Sequence, residues 1–140
     1  MHSSITVQVN ISASLEKCWQ IFTNPADIRR FNNPFPDWHT AQVAIDFKED
    51  GRYFYRMERK DGSEGFDFAG TYGRIIHGQQ IEYRGDDGRS TMHVFTSEGQ
   101  NTEITEIFEP DVHTPIDLQR SFCQNLLDSF KQYVEGNSLT

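Results

Sequence analysis

Residues 5 to 11, Ile-Thr-Val-Gln-Val-Asn-Ile, alternate apolar and polar side chains, the period of a strand with one buried face. Ser12 and Ser14 offer helix N-caps, and Leu15, Cys18, Trp19 and Phe22 then recur at spacings of three and four, predicting an amphipathic helix. Thr23-Asn24-Pro25 starts a second short helix, with Pro25 suited to its first turn and Ile28 and Phe31 on its apolar side. Asn32 to Pro36 (NNPFP) is expected to be irregular, because its two prolines lack donors and fix the backbone. Strands are predicted over 41–47, 51–59, 64–76, 79–84, 90–97 and 102–109, where Pro110 stops the run. The breaks between the later strands are Asp61-Gly62, His77-Gly78, Gly85-Asp86-Asp87-Gly88 and Gly99-Gln100. After His113-Thr114-Pro115, Phe122, Leu126 and Phe130 repeat every four residues beside Gln119, Cys123 and Val134, predicting one long final helix.

This order makes the chain α+β: a curved antiparallel sheet of about seven strands, one long C-terminal helix across its concave face, and two short helices plugging one end. One helix does not cover so long a sheet, so a cavity is expected between them. Tight turns fix the register. With Asp61-Gly62 central, Met57 lies opposite Phe66, Tyr55 opposite Phe68 and Tyr53 opposite Gly70, all on one face, with Arg52, Arg56, Glu58 and Asp67 on the other. Pairing Phe95 with Ile104 brings His93 opposite Glu106, with Thr91 on the same side.

The 140 residues are expected to form one domain over 1–140 with a core of about 5–135. The chain is hydrophilic (mean hydropathy −0.66), yet its 36% of apolar residues are weighted toward rings: eleven Phe, five Tyr and two Trp. A net charge of −8 without a Lys/Arg cluster argues against nucleic acid or an anionic membrane as partner. No apolar run approaches the roughly 18 residues of a membrane span, and the first residues do not read as a secretory signal, so a cytoplasmic location is expected. Cys18 and Cys123 are then free, buried thiols. The histidines at 2, 39, 77, 93 and 113 have no metal-ligand spacing, and no nucleotide, hydrolase or zinc-protease motif is present. No metal and no cofactor is expected.

The candidate ligand-binding residues follow from the register. Tyr53, Tyr55, Met57, Phe66, Phe68 and Tyr72 face the helix, joined by Tyr83 and, from the helix, Gln119, Phe122 and Leu126. Core packing is the plain alternative for any one ring, but a buried phenol needs a hydrogen-bond partner that a ligand or water supplies. Trp38 and His39 are placed in a loop closing one end of the cavity, with simple capping of the core as the alternative for Trp38. For His93 and Glu106 three readings stand: a bulge that leaves Ile107 inside and Glu106 in water, a structural ion pair, or a polar ligand anchor or acid/base pair. Met92, Val94 and Ile107 share the outer face, a small patch suited to a weak homodimer.

Several motifs carry a family resemblance: Ser14-Leu15-Glu16-Lys17-Cys18-Trp19, Thr23-Asn24-Pro25, Pro36-Asp37-Trp38-His39-Thr40, the run from Gly51 to Met57, the run from Gly65 to Tyr72, and Leu118-Gln119-Arg120-Ser121-Phe122. From Ile5 to about Val134 the chain resembles the START-like (SRPBCC, helix-grip) superfamily, in the branch related to activators of the heat-shock protein 90 ATPase. It departs from that pattern at Asp50, where a second Gly is usual, and at Ser121-Phe122, where Gly-Trp is usual. The resemblance implies a helix-grip, Bet v-like fold, and a superfamily that binds lipids, polyketides, hormones and flavonoid-like molecules in a central cavity. The first expectation is therefore a binding domain for a small hydrophobic, aromatic or lipid-like ligand. The alternatives are a cyclase/aromatase- or hydratase-like enzyme using His93 and Glu106, and a co-chaperone-like module that stimulates a chaperone ATPase. The enzyme is less favoured because no residue set is diagnostic, and the co-chaperone because the chain carries a lone domain.

Overall fold

The computed structural model describes residues 4–137, so His2 of the histidine set lies outside the described residues. The elements are β1 (Ile5–Ile11), α1 (Leu15–Phe22), α2 (Pro25–Phe31), β2 (Trp38–Ile45), β3 (Arg52–Arg59), β4 (Gly65–Ile76), β5 (Gln80–Gly85), β6 (Ser90–Glu98), β7 (Asn101–Phe108) and α3 (Ile116–Asn137). The seven strands form one curled antiparallel sheet in the order β1-β7-β6-β5-β4-β3-β2. Among the described residues no helix is long and apolar enough to cross a membrane.

Local chemistry explains the element ends. Ile5, Val7, Val9 and Ile11 of β1 are buried while the residues between them are exposed. Ser14 caps α1 by accepting from the Lys17 N–H, and Asn24 caps α2 by accepting from Ala26, with Pro25 in the first turn. Ser12, the other cap candidate, instead donates its N–H to Glu135 near the end of α3 at 2.9 Å, tying the first and last elements together.

The predicted register holds. Met57 pairs with Phe66, Tyr55 with Phe68 and Tyr53 with Gly70, while His93 pairs with Glu106 and Phe95 with Ile104. The slipped alternative with Ile107 inside is thereby excluded. The strand expected over 41–47 is corrected to Trp38–Ile45, which takes Trp38 and His39 out of a loop and into the sheet. The reason is long-range pairing. The end of β3 recruits Trp38 and His39 opposite Arg59 and Glu58, with an irregularity between Thr40 and Gln42. Thr40 is held there by Asn32 and Asn33, whose side-chain hydrogen bonds leave no periodic trace in the sequence.

Asp50 adopts a φ of +67°, the left-handed region that a non-Gly residue enters at a cost, and its N–H bonds to the Tyr72 carbonyl at 3.0 Å. A Cβ on neighbouring Gly51 would stand 2.0 Å from the Asp46 carbonyl oxygen, so that position admits glycine alone. Asp50→Gly is expected to relieve the strain and raise stability by about 0.5 kcal/mol after the greater unfolded-state entropy of glycine is counted. A urea midpoint that stays put or falls would count against strain at Asp50.

The core lies between the sheet and the helices. Trp19 meets Phe95 edge-on at 5.0 Å, and Phe22 contacts Phe31, Phe95 and Phe130 at 5.0–5.7 Å. Leu127, Phe130 and Val134 of α3 are fully buried in this cluster. The opposite half of α3 does not meet the sheet so closely.

Candidate functional site

Between the first half of α3 and the concave face of β3–β7 lies a cavity of about 750 Å³. Tyr53, Tyr55 and Met57 of β3, Phe66 and Phe68 of β4, Tyr83 of β5, His93 of β6 and Glu106 of β7 line it. Gln119, Phe122 and Leu126 line it from α3, so eleven of the fourteen candidate residues meet there. The hairpin register explains this convergence, because alternate residues on antiparallel strands project to one side.

Trp38, His39 and Tyr72 are not among the lining residues. Trp38 lies in β2, its ring 5.9 Å from Phe66 and beneath the Arg59 guanidinium, and it borders a separate shallow groove with Phe35 and Lys60. His39 is half-exposed beside Glu58 at 3.5 Å. Tyr72 is fully buried against Phe47, Tyr53 and Tyr83 at 5.2–5.5 Å, so it braces the cavity wall instead of facing the space. The wall is a ring cluster centred on Tyr53, which touches Tyr55, Phe68, Tyr72 and Tyr83 at 5.0–6.3 Å.

Two polar atoms in this wall stand out. The Tyr53 hydroxyl, which lies 2.6 Å from where a Gly70 Cβ would be, and Nδ1 of His93 are both buried without a hydrogen-bond partner. Leaving such a group unsatisfied costs about 1–3 kcal/mol, so the ring cluster behind the cavity carries a stability cost at these two atoms. The other ring nitrogen of His93, Nε2, is 3.2 Å from Glu106, and the ring sits edge-on between Phe22 (4.9 Å) and Tyr83 (5.1 Å). Burial pushes the Cys123 thiol up, and the Glu106 carboxylate beside it pushes it further, so it is a thiol and not a nucleophilic thiolate. Burial likewise raises all four phenols of the cluster, Tyr53, Tyr55, Tyr72 and Tyr83. The side-chain amide of Gln119 is fully engaged: it accepts from the Asp111 N–H and donates to the carbonyls of Asp111 and Thr114, pinning the loop before α3.

The mouth is charged, a feature that the periodicity did not reveal. Asp67, Asp86, Asp87, Glu109 and Asp111 line it with Arg89. Arg52 grips Asp86 with two bonds of 2.7 and 2.8 Å and holds its carboxyl below the usual carboxylate range. Burial works to raise Asp87, but the hydrogen bonds from the backbone and side chain of Arg89 outweigh it and lower the carboxyl. Hydrogen bonds from His113 and Thr114 lower Asp111. The signal that could have found this rim is the row Tyr53, Gly70, Gly85 across three strands, where the missing side chains let the Tyr53 hydroxyl and the Asp87 carboxylate pack against the glycines. Phe22 and Phe31, placed by periodicity on the apolar sides of the two short helices, also reach the lining with Phe108 of β7, because an apolar stripe does not distinguish a packed ring from one bordering space.

A model of the family described as "Activator of Hsp90 ATPase homolog 1-like protein" matches residues 12–135. No curated protein matches the sequence. Among solved structures the chain is similar to an AHSA1-like protein from Aeromonas hydrophila, at 34% identity over 98% of this chain and 95% of that one, with a TM-score of 0.89. It is also similar to a protein from Cytophaga hutchinsonii, at 40% identity over 97% and 94%, with a TM-score of 0.83. A protein from Nitrosomonas europaea shares the fold at 11% identity, over 99% of this chain and 97% of that one, with a TM-score of 0.82.

Proposed function

The chain belongs to the activator of Hsp90 ATPase homolog 1-like family, and from that premise we propose that it is a binding domain for a small, largely hydrophobic ligand held between the sheet and α3. The observation that carries this reading is the cavity itself. Its volume of about 750 Å³ falls in the range of small-molecule sites, roughly 300–1,000 Å³, and its lining joins Phe and Tyr rings and aliphatic side chains to a charged mouth. Ring-lined walls favour flat aromatic ligands, since each well-placed ring pair adds about 0.5–1.5 kcal/mol beyond area burial. The fold alone does not select a ligand.

The enzyme reading rests on one observation, that the His93–Glu106 pair lines the cavity. A nucleophilic mechanism through Cys123 is disfavoured, because burial and Glu106 hold its proton. The chaperone reading draws on the family description, and among the described residues no surface feature favours it over ligand binding.

A thermal-shift screen of lipids and aromatic polyketide-like compounds tests the proposal. A ligand at a hundredfold over its Kd is expected to stabilise the protein by about 2.7 kcal/mol, or roughly 8 °C for a chain of this size. Leu126→Trp, which puts an indole into the cavity from α3, is expected to abolish the shift. Silence from every apolar class, or a shift that survives Leu126→Trp, would remove the cavity from the proposal.

A further inference from the structure

The charge around the cavity mouth is unevenly balanced, and the imbalance bears on what the cavity admits. Five carboxylates line the mouth, those of Asp67, Asp86, Asp87, Glu109 and Asp111, and among the described lining residues Arg89 is the one Lys or Arg. Three of the five are paired: Arg56 holds Asp67 at 3.1 Å, Arg52 holds Asp86 at 2.7 Å and Arg89 holds Asp87 at 2.8 Å. Glu109 and Asp111 differ, since among the described residues neither forms an ion pair. Glu109 accepts from the Ser90 N–H at 3.0 Å, and Asp111 accepts from the His113 N–H and the Thr114 hydroxyl, each at 3.0 Å. Arg89 acts on Asp111 only at longer range. Resting on the ligand-binding reading above, we propose that the cavity takes amines with an aromatic body: the ammonium group sits at Glu109 and Asp111, and the rings lie between the sheet and α3.

The two carboxylates are held in place before any ligand arrives. The Glu109 N–H donates to the Ser90 carbonyl at 3.0 Å, the Asp111 N–H donates to Gln119 Oε1 at 2.8 Å, and the ring of Pro110 between them locks its own φ. Both are half-buried, where water screens a charge less than in the open. The hydrogen bonds on Asp111 lower its carboxyl, so it is ionised at neutral pH. The positive end of the α3 dipole lies at the same mouth, and Asp117 in the first turn opposes it. Surface acids alone are a solvated rim; these two differ because the ring-lined space opens directly behind them. An amine with an aromatic body uses both parts, and its ammonium is also attracted by the negative faces of the Phe and Tyr rings. A ligand carboxylate in its place leaves water among five acids and meets no unengaged cation among the described lining residues.

The test uses three probes with one ring system: 2-naphthylethylamine, 2-naphthylethanol and 2-naphthylacetate. Affinities are measured by naphthalene fluorescence and calorimetry at low salt and neutral pH. The amine is expected to bind about tenfold more tightly than the alcohol, and the acetate about tenfold more weakly than the alcohol. Raising the salt to about 0.5 M is expected to shrink the preference for amine over alcohol roughly threefold, a measurement on the unaltered protein. Glu109→Gln with Asp111→Asn, which keeps the shapes and removes both charges, is expected to bring the amine to within about twofold of the alcohol. Leu126→Trp is expected to weaken amine and alcohol alike, which separates binding in the cavity from loose attraction to an acidic protein. An amine that binds no better than the alcohol, or an acetate that binds as well as the amine, overturns the charge selection and leaves the cavity a ligand site. A preference that survives both salt and the double variant overturns the seat at Glu109 and Asp111, and amine binding that survives Leu126→Trp overturns its place in the cavity. Failure of all three probes, the alcohol included, overturns the ligand-binding reading and this inference with it.

Discussion

Raising the pH above about 10 is expected to unfold the protein in one steep transition, with the tyrosinate absorbance appearing in that same step. Four of the five tyrosines, Tyr53, Tyr55, Tyr72 and Tyr83, are buried in one cluster, and burial raises each phenol above its ordinary value. The folded state holds these protons where the unfolded chain releases them. Stability from this source is therefore intact below the unfolded tyrosine pKa of about 10 and is lost as pH rises through the window above it. Each retained proton contributes about 1.4 kcal/mol per pH unit in that window, so four make a slope of roughly 5 kcal/mol per unit. Against a typical stability of about 5–15 kcal/mol, unfolding falls within roughly one to three units of pH 10. Tyrosinate absorbance and far-ultraviolet circular dichroism should change together. If the four phenols titrate gradually near pH 10 while the dichroism persists, the ring cluster is open to water and is not the buried cluster described above.

The same cluster shows what the sequence makes legible. Alternation places Tyr53, Tyr55 and Met57 on one face, and the Asp61-Gly62 turn fixes which residues they oppose, so the wall follows from local rules. The His93–Glu106 pair follows equally from the short connection around Gly99. Tyr72 shares that face yet is covered by its neighbours, because the curl of the sheet, which alternation does not encode, decides which rings front the space. Trp38 and His39 joined a strand through pairing with β3, a contact twenty residues away in the chain that no local pattern announces. The charged mouth escaped for a different reason. Its acids are scattered over β4, the turn after β5, and the segment following β7, and only the folded sheet gathers them. Gln119 was legible as a lining residue but not as a latch, since its partners Asp111 and Thr114 belong to a loop without periodicity.

The four-residue rhythm of α3 hides a division that substitution should expose. Phe122, Leu126 and Phe130 lie on one stripe, but Phe130 is fully buried, with its ring 4.7 Å from Phe31 and 5.0 Å from Phe22, whereas Leu126 lines the cavity and remains partly exposed. Phe130→Ala removes a ring from a close-packed cluster, where the lost transfer energy and the new void add, and is expected to cost about 3–5 kcal/mol. Leu126→Ala enlarges a space that already exists, so no new void is created and its neighbours lose fewer contacts; about 1 kcal/mol or less is expected. Urea denaturation of the two variants measures both, and a difference of roughly 2 kcal/mol or more between them is the expected result. Equal losses would mean that the helix is packed uniformly along its length and that the cavity beside Leu126 closes in solution. A large gap instead assigns α3 two tasks: its second half, with Leu127, Phe130 and Val134, anchors the helix to the core, and its first half roofs a space that packing leaves open. Because the anchor is strong, the roof does not need to be filled by side chains, and that is the physical condition under which a small domain keeps an internal site without collapsing into it.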